Sequence, residues 1–175
     1  MKGIVYSTDT GILTLKDNIQ SGKLAEQYFE MERDPNQIPA TMENVRWINK
    51  NIPQCVNVIK YNNDIIGFTF IVPANKNLMR KFLSGKISEN EMFEEVKRSI
   101  TYENFETIYL CSAFIKQEYR RNCLALEGFV KSVKKLMEKT KIRPILFYWE
   151  YTSEGGKMCR KVAERLNLEA KVREV

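Results

Sequence analysis

The stretch TIYLCSAFIKQEYRRNCLALEGFVKSVKKLMEKTKIRPILFYW, Thr107–Trp149, decides the fold. Its first part, Thr107–Ile115, is mostly apolar or β-branched and reads as a buried strand. From Asn122 the period changes. Leu126, Phe129, Val130, Val133, Leu136 and Met137 recur at three- and four-residue spacing, with Glu127, Lys131, Lys134, Lys135 and Glu138 on the opposite face. Pro144 then precedes a second apolar run, ILFYWEY. A strand, a helix of about 17 residues and a strand make a βαβ crossover, so the two strands are parallel neighbours in one sheet.

Upstream, CVNVIKYNNDIIGFTFIV reads as a hairpin turning at Asn62, Asn63 and Asp64. Its second arm, IIGFTFIV, is nearly all apolar and is expected to be covered on both faces. An antiparallel hairpin beside a parallel pair makes the sheet mixed. GILTLKDN is the expected first strand. LAEQYFEMERD follows as a helix with Leu24, Tyr28 and Met31 on one stripe, stopped by Pro35. TMENVRWINKNI is a second helix, with Thr41 as N-cap and Pro53 beyond its end. DPNQIPA between them is a turn-rich loop. Residues 75–104 read as a helical insertion: NLMRKFLSG with Asn77 as N-cap and Gly85 as stop, then SENEMFEEVKRS opening with the capping box Ser88 and Glu91. A last helix runs from Gly156 to Leu166, and LEAKVREV is a final strand. Helices before and after the strands cover both sheet faces, giving a three-layer α/β (α+β) fold as a single domain over residues 1–175.

The 175 residues are 43% hydrophobic and 11% aromatic, a globular rather than a disordered composition. No apolar run approaches the ~18 residues of a membrane span. MKGIVYSTDTGILTLKDN lacks the apolar core of a secretory signal. A cytoplasmic protein with no membrane partner is expected. Cys55, Cys111, Cys123 and Cys159 are dispersed, without a Cys-x-x-Cys pair, which argues against a disulfide framework and against bound metal. Cys111, inside an apolar run, reads as a buried small hydrophobe.

There is no histidine. Ser-His-Asp and Cys-His catalysis, His-ligated metals and an imidazole base are therefore excluded. Carboxylates, tyrosines, cysteines, lysines, backbone groups or a reactive cofactor remain. The net charge is +6, and Lys131–Val175 alone holds 12 Lys and Arg against 6 Asp and Glu. That surplus fits an anionic ligand, either a phosphate-bearing cofactor or nucleic acid. Its alternative is a solvated, lysine-rich helix face.

Arg120, Arg121 and Asn122 fall where the buried strand turns into the helix. Ligands of open α/β sheets bind beyond the carboxyl ends of strands, and helix N-termini bind phosphate through free N–H groups. Arginines there add charge-assisted contacts to phosphate oxygens. The opposing reading has both side chains in solvent or paired with Glu118.

IKQEYRRNCLA resembles the acyl-CoA signature of the GNAT acetyltransferase superfamily, Val-x-Pro-x-Tyr-Arg-Gly-x-Gly-x-Gly/Ala. Ile115 matches the apolar strand end, Tyr119 and Arg120 the Tyr-Arg pair, and Ala125 the last small residue. The order of elements is similar over most of the chain, and Leu166, Asn167 and Leu168 stand where the family has Leu-Gly-Phe. Arg121 and Cys123 stand at glycine positions, and Gln117 replaces the proline. A residue with a Cβ at such a position can still present its N–H if its φ is negative, as at a helix start.

The resemblance implies a GNAT-like fold and transfer of acetyl from acetyl-CoA, as co-substrate, to an amine on a small molecule or a peptide. Phe114 and Ile115 would pair with the pantetheine amides. Arg120, Arg121, Asn122, Cys123, Leu124 and Ala125 would hold the pyrophosphate. Glu150, at the end of the parallel strand, is the first candidate for the base; Tyr151, Tyr148 and Cys159 are candidates for the acid. The tyrosine that the family often uses to protonate the thiolate corresponds to Ala163. The loop Asp34–Pro39 and the insertion 75–104 stand where the family builds its acceptor site; a homodimer contact or a lid is the other reading. Trp47 and Trp149 are core anchors or pocket walls, and Gly128 admits close packing or is neutral. Two alternatives to an active enzyme are a CoA-binding regulatory module with a decayed site and a basic nucleic-acid-binding domain. The second lacks any recognised signature.

Overall fold

A computed structural model describes residues 3–11, 13–29, 34–99, 104–120 and 122–173. Two residues singled out above, Met31 and Arg121, lie outside the described residues. The described residues form a six-stranded sheet whose spatial order follows the sequence: β1 Ile4–Tyr6, β2 Val56–Tyr61, β3 Asp64–Ala74, β4 Thr107–Ile115, β5 Ile145–Trp149 and β6 Ala170–Arg173. The pairings β1–β2, β2–β3 and β3–β4 are antiparallel, and β4–β5 and β5–β6 are parallel. The sheet is mixed, and the crossover from β4 to β5 is the parallel unit expected.

The described helices are α1 Ser7–Thr10, α2 Leu15–Phe29, α3 Met42–Asn51, α4 Lys76–Leu83, α5 Glu89–Ser99, α6 Leu124–Thr140 and α7 Ser153–Leu166. Strand alternation sorts them into two layers. Phe70 of β3 meets Phe93 of α5, and Phe82 of α4 meets Tyr109 of β4 and Phe147 of β5. Thr69, pointing the other way, abuts Gly128 of α6. A Cβ on Gly128 would lie 2.9 Å from Thr69 Cγ2, so this glycine is a close-packing site. β3 is buried from Ile66 to Ala74, as a strand covered on both faces must be.

Local chemistry explains most element ends. Asn62 and Asn63 both have positive φ and form the tight hairpin turn between β2 and β3. Thr41 accepts from the Asn44 N–H and caps α3. Ser88 and Glu91 exchange their capping-box bonds at 3.1 and 2.8 Å. Gly85, at φ +72°, follows α4 as a left-handed stop.

The structure differs from the sequence reading in several places, and α7 begins at Ser153, capped by Thr152, rather than at Gly156. The first strand is Ile4–Tyr6, not GILTLKDN; Thr14 Oγ1 accepts from the Asp17 N–H at 3.1 Å and starts α2 at Leu15 instead. The buried positions of α2 are Asp17, Asn18, Ser21 and Ala25, whereas Tyr28 of the expected stripe is exposed. Asn75, not Asn77, caps α4, accepting from the Leu78 N–H at 2.9 Å. Among the described residues no helix is long and apolar enough to cross a membrane.

Candidate functional site

β4 and β5 pair only over Thr107–Ile145, Ile108–Leu146 and Tyr109–Phe147. Beyond Tyr109, β4 stays on β3 while β5 continues on β6 to Trp149. The two parallel strands therefore separate at their carboxyl ends. Burial along β4 changes at the same place: Thr107–Leu110 are buried and Cys111–Ile115 are half-buried.

A bulge marks the parting point. Phe70 faces Ser112 and Ile71 faces Leu110, so Cys111 is the extra residue of β4. Cys111 is half-buried rather than the fully buried hydrophobe expected, because β5 no longer covers it. The Lys116 N–H donates to the Ile66 carbonyl at 2.8 Å. Ladder alternation then aims the Ser112 and Phe114 amides at β3 and those of Ala113 and Ile115 at the open side. The Ile115 carbonyl on that side accepts from Arg120 Nε at 3.0 Å.

β4 leads through a 3-10 turn, Gln117–Tyr119, into the start of α6. Side chains cap the other long helices: Thr14 at α2, Thr41 at α3, Asn75 at α4, Ser88 at α5 and Thr152 at α7. The N-cap residue of α6, Cys123, makes no such bond. Cys123 has φ +56°, in the left-handed region, not the negative φ expected of a helix start. A glycine would adopt this conformation freely; a cysteine is strained there.

The Arg120 guanidinium folds back over the strand end, donating to Ile115 and to Tyr28 Oη at 3.4 Å, with the Tyr28 ring 5.8 Å away. Phe114 stacks on Tyr28 at 4.8 Å. Asn122 Nδ2 bonds the Tyr119 carbonyl at 3.1 Å and closes the turn. Leu124 is buried with Tyr6, Ile59 and Ile66, and Ala125 is half-buried. Phe114, Ile115 and Arg120 thus meet at one point, and the chain from Asn122 to Ala125 begins α6 beside it.

Glu150, Tyr148 and Cys159 gather at the join of β5 and α7. Glu150 Oε2 pairs with Arg160 Nη1 at 2.8 Å, and Arg160 also bonds the Tyr148 hydroxyl. A Cβ on Gly156 would lie 2.4 Å from Glu150 Cδ, so the carboxylate occupies space that this glycine leaves in the first turn of α7. Burial pushes the Tyr148 hydroxyl up from its ordinary value and the Cys159 thiol up to about 12. Tyr151 is 72% exposed with its ring against Trp149, and Ala163 is buried. In the basic C-terminal part, Lys131 pairs with Asp9, Arg165 with Glu127 and Lys171 with Glu169.

One group escaped the sequence reading. Glu89, the first residue of α5, accepts from the Tyr109 hydroxyl, and the Ile38 N–H points at the same carboxylate. Burial pushes Glu89 up to about 7, with Asp34 adding to the rise and Tyr109, Ile38 and Arg173 opposing it. The signal was present: Glu89 stands three and four residues before Met92 and Phe93, both fully buried, and so shares their face of α5. The loop at Asp34–Pro39 and the insertion meet here, since the Asn90 N–H donates to the Asn36 carbonyl at 3.0 Å.

No known protein family, curated protein or solved structure matches the chain.

Proposed function

We propose that this protein is an N-acetyltransferase that moves acetyl from acetyl-CoA to an amine. The observation that carries the reading is the open edge of β4 running into the uncapped start of α6. An extended ligand bearing amides can add to such an edge as a further strand would. An anion at its far end meets free N–H groups and the positive end of a 17-residue helix dipole. Acetyl-CoA has this sequence of parts: a thioester, two amides and a pyrophosphate. When bound, it supplies the activated acetyl group. The resemblance of IKQEYRRNCLA to the GNAT signature points the same way. So does the left-handed backbone of Cys123, at a position where that family has glycine.

In this reading the amides of Ala113 and Ile115 hold the pantetheine arm, and the backbone from Asn122 to Ala125 receives the pyrophosphate. A guanidinium has five N–H donors. Arg120 spends two groups on Ile115 and Tyr28, which fixes it at the strand end with donors to spare. The carboxylate of Glu150 is engaged by Arg160, so it orients α7 rather than standing free as a base.

Acetyl-CoA at one hundred times its dissociation constant stabilises the fold by about 2.7 kcal/mol, or a rise of roughly 5–10 °C in Tm for a chain of this size. Arg120→Glu with Arg121→Glu abolishes the shift. No shift at millimolar acetyl-CoA refutes the proposal. A CoA-binding module without catalysis is the second reading, favoured by Ala163 and by the high-lying Cys159 thiol, neither of which offers a proton. One amine turned over at a steady rate eliminates it.

A further inference from the structure

We infer that Glu89 is the catalytic carboxylate that meets the acceptor amine, and that the acceptor is a short-chain alkyl primary amine; this rests on the acetyl-transfer reading. Glu89 lies where three elements converge. It opens α5 of the insertion, it receives the hydroxyl of Tyr109 from β4, and it faces the N–H of Ile38 from the loop after α2. Tyr109 is the last β4 residue paired with β5, and the Cys111 bulge comes two residues later. The carboxylate is therefore tied to the residue of β4 at which the two parallel strands part.

A small apolar cavity of about 50 Å³ lies between α2, α3 and the sheet, lined by Ala25, Ile38, Ile48, Phe68, Phe70 and Ser112, and Ile38 connects it to the Glu89 cluster. Ile38 belongs to both places: its N–H faces Glu89 and the residue lines the cavity. Ser112 directly follows the bulge. A dry cavity of about 150 Å³ admits benzene; one of about 50 Å³ has room for roughly two or three methylene groups and no ring. An ammonium at Glu89 with a short alkyl tail in the cavity satisfies both features.

The charged and titratable groups around Glu89 are Tyr109 and Cys111 on β4, Asp34 in the loop and Arg173 on β6. Arg173 is held over the rings of Phe82 and Trp149, at 4.8 and 4.7 Å, and its pull on Glu89 is weaker than those of Tyr109 and Ile38. Burial keeps Glu89 a better proton acceptor than an ordinary carboxylate. The ammonium gives one proton to Glu89. The neutral nitrogen then attacks the thioester carbonyl; the C–N bond forms, the C–S bond breaks, and the second nitrogen proton goes to the thiolate. Amide and thiol leave, and Glu89 returns its proton to water.

The test uses the full chain, wild type and Glu89→Gln, with n-propylamine, phenethylamine and 1-propanol as probes. Binding is followed by NMR shifts and transfer by release of free thiol from acetyl-CoA. Propylamine saturates the wild type and 1-propanol does not. Glu89→Gln weakens propylamine binding at least tenfold and lowers kcat by about 10²–10⁴, the range of a lost general base. The acetyl-CoA shift in Tm stays. Ala25→Leu, which fills the cavity from α2 without touching Glu89, removes propylamine binding and keeps the acetyl-CoA shift. Acetyl-CoA binding with propylamine binding and turnover unchanged in Glu89→Gln overturns the inference. Phenethylamine turned over as fast as propylamine overturns the size assignment. If wild type ignores acetyl-CoA, the transfer reading fails, and the propylamine titration alone still decides the amine site.

Discussion

Glu89 gives the sharpest test of the structure, and the test needs no substrate. The group is pushed from an ordinary 4.5 up to about 7 in the fold, chiefly by burial. Between those two values the folded chain holds a proton that the unfolded chain has released. Stability therefore falls as pH rises through this window. Below about 4.5 both states are protonated and Glu89 contributes no penalty. Above about 7 both are ionised, and the fold carries the full cost of ionising this half-buried carboxylate. One pKa unit is worth 1.36 kcal/mol, so the cost is about 3 kcal/mol. Glu89→Gln stays neutral throughout and keeps an oxygen for the Tyr109 hydroxyl. Its stability relative to wild type should thus climb by about 3 kcal/mol from pH 4.5 to pH 8. Urea unfolding of both proteins at pH 5, 6, 7 and 8 measures that difference. Asp17, which is held below the ordinary range, contributes stability that is lost in acid, but it does so equally in both proteins and cancels. A difference that stays flat across the range would mean that Glu89 is solvated, and the site at the opening would then not exist as described.

Three substitutions probe the backbone around the cleft. Cys123→Gly relieves the left-handed strain and should raise stability by about 1 kcal/mol in denaturant melts, whereas Cys123→Ala should not. Gly128→Ala drives a Cβ to 2.9 Å from Thr69 Cγ2 and should cost about 1–3 kcal/mol despite alanine's better helix propensity; Thr69→Ala in the same chain should recover most of it in a double-mutant cycle. Gly67→Ala places a Cβ 2.4 Å from the Phe114 carbonyl oxygen, a backbone atom that cannot swing away, and should cost more than Gly128→Ala in the same melts.

The parts of the fold that sequence made legible are those in which local chemistry and burial agree. The apolar run of β4, the three- and four-residue spacing of α6 and the apolar run of β5 each point to one element, and together they require a parallel pair. Thr41 and the Ser88–Glu91 box are caps whose residues do in the structure what their types do in isolation. The parts that misled are those where the buried face is not apolar. α2 buries Asp17, Asn18, Ser21 and Ala25, and it does so with specific partners: Lys60 pairs with Asp17 at 2.8 Å, and Asn18 Nδ2 bonds the Val45 carbonyl at 3.1 Å. A hydrophobic period cannot reveal such a face. Ile12, Leu13 and Leu15 instead drew the eye to a strand in its place. β1 is a three-residue edge strand, too short to carry a pattern.

The candidate site divides along the same line. Its strand end and helix start could be placed from sequence because they lie within one contiguous segment, Phe114 to Ala125. The opening itself could not, because it exists only where β5 stops pairing with β4, and nothing in either strand alone states that limit. Glu89 is the hardest case. It is one of four glutamates in SENEMFEEVKRS, and three of them remain at least partly hydrated surface groups: Glu91 in the capping box, Glu94 beside Lys97 and Glu95 beside Arg98. What singles out Glu89 is packing contributed by β4 and by the loop at Ile38, both far away in sequence. A carboxylate drawn into such a place costs stability, and the fold bears that cost beside Tyr109, where β4 and β5 part. A purely structural role would be met more cheaply by glutamine, which bonds Tyr109 equally well without the charge. A carboxylate whose desolvation outweighs its hydrogen bonds is therefore the feature that most favours a role in binding or proton transfer, and it is the one that the pH-dependent comparison with Glu89→Gln isolates.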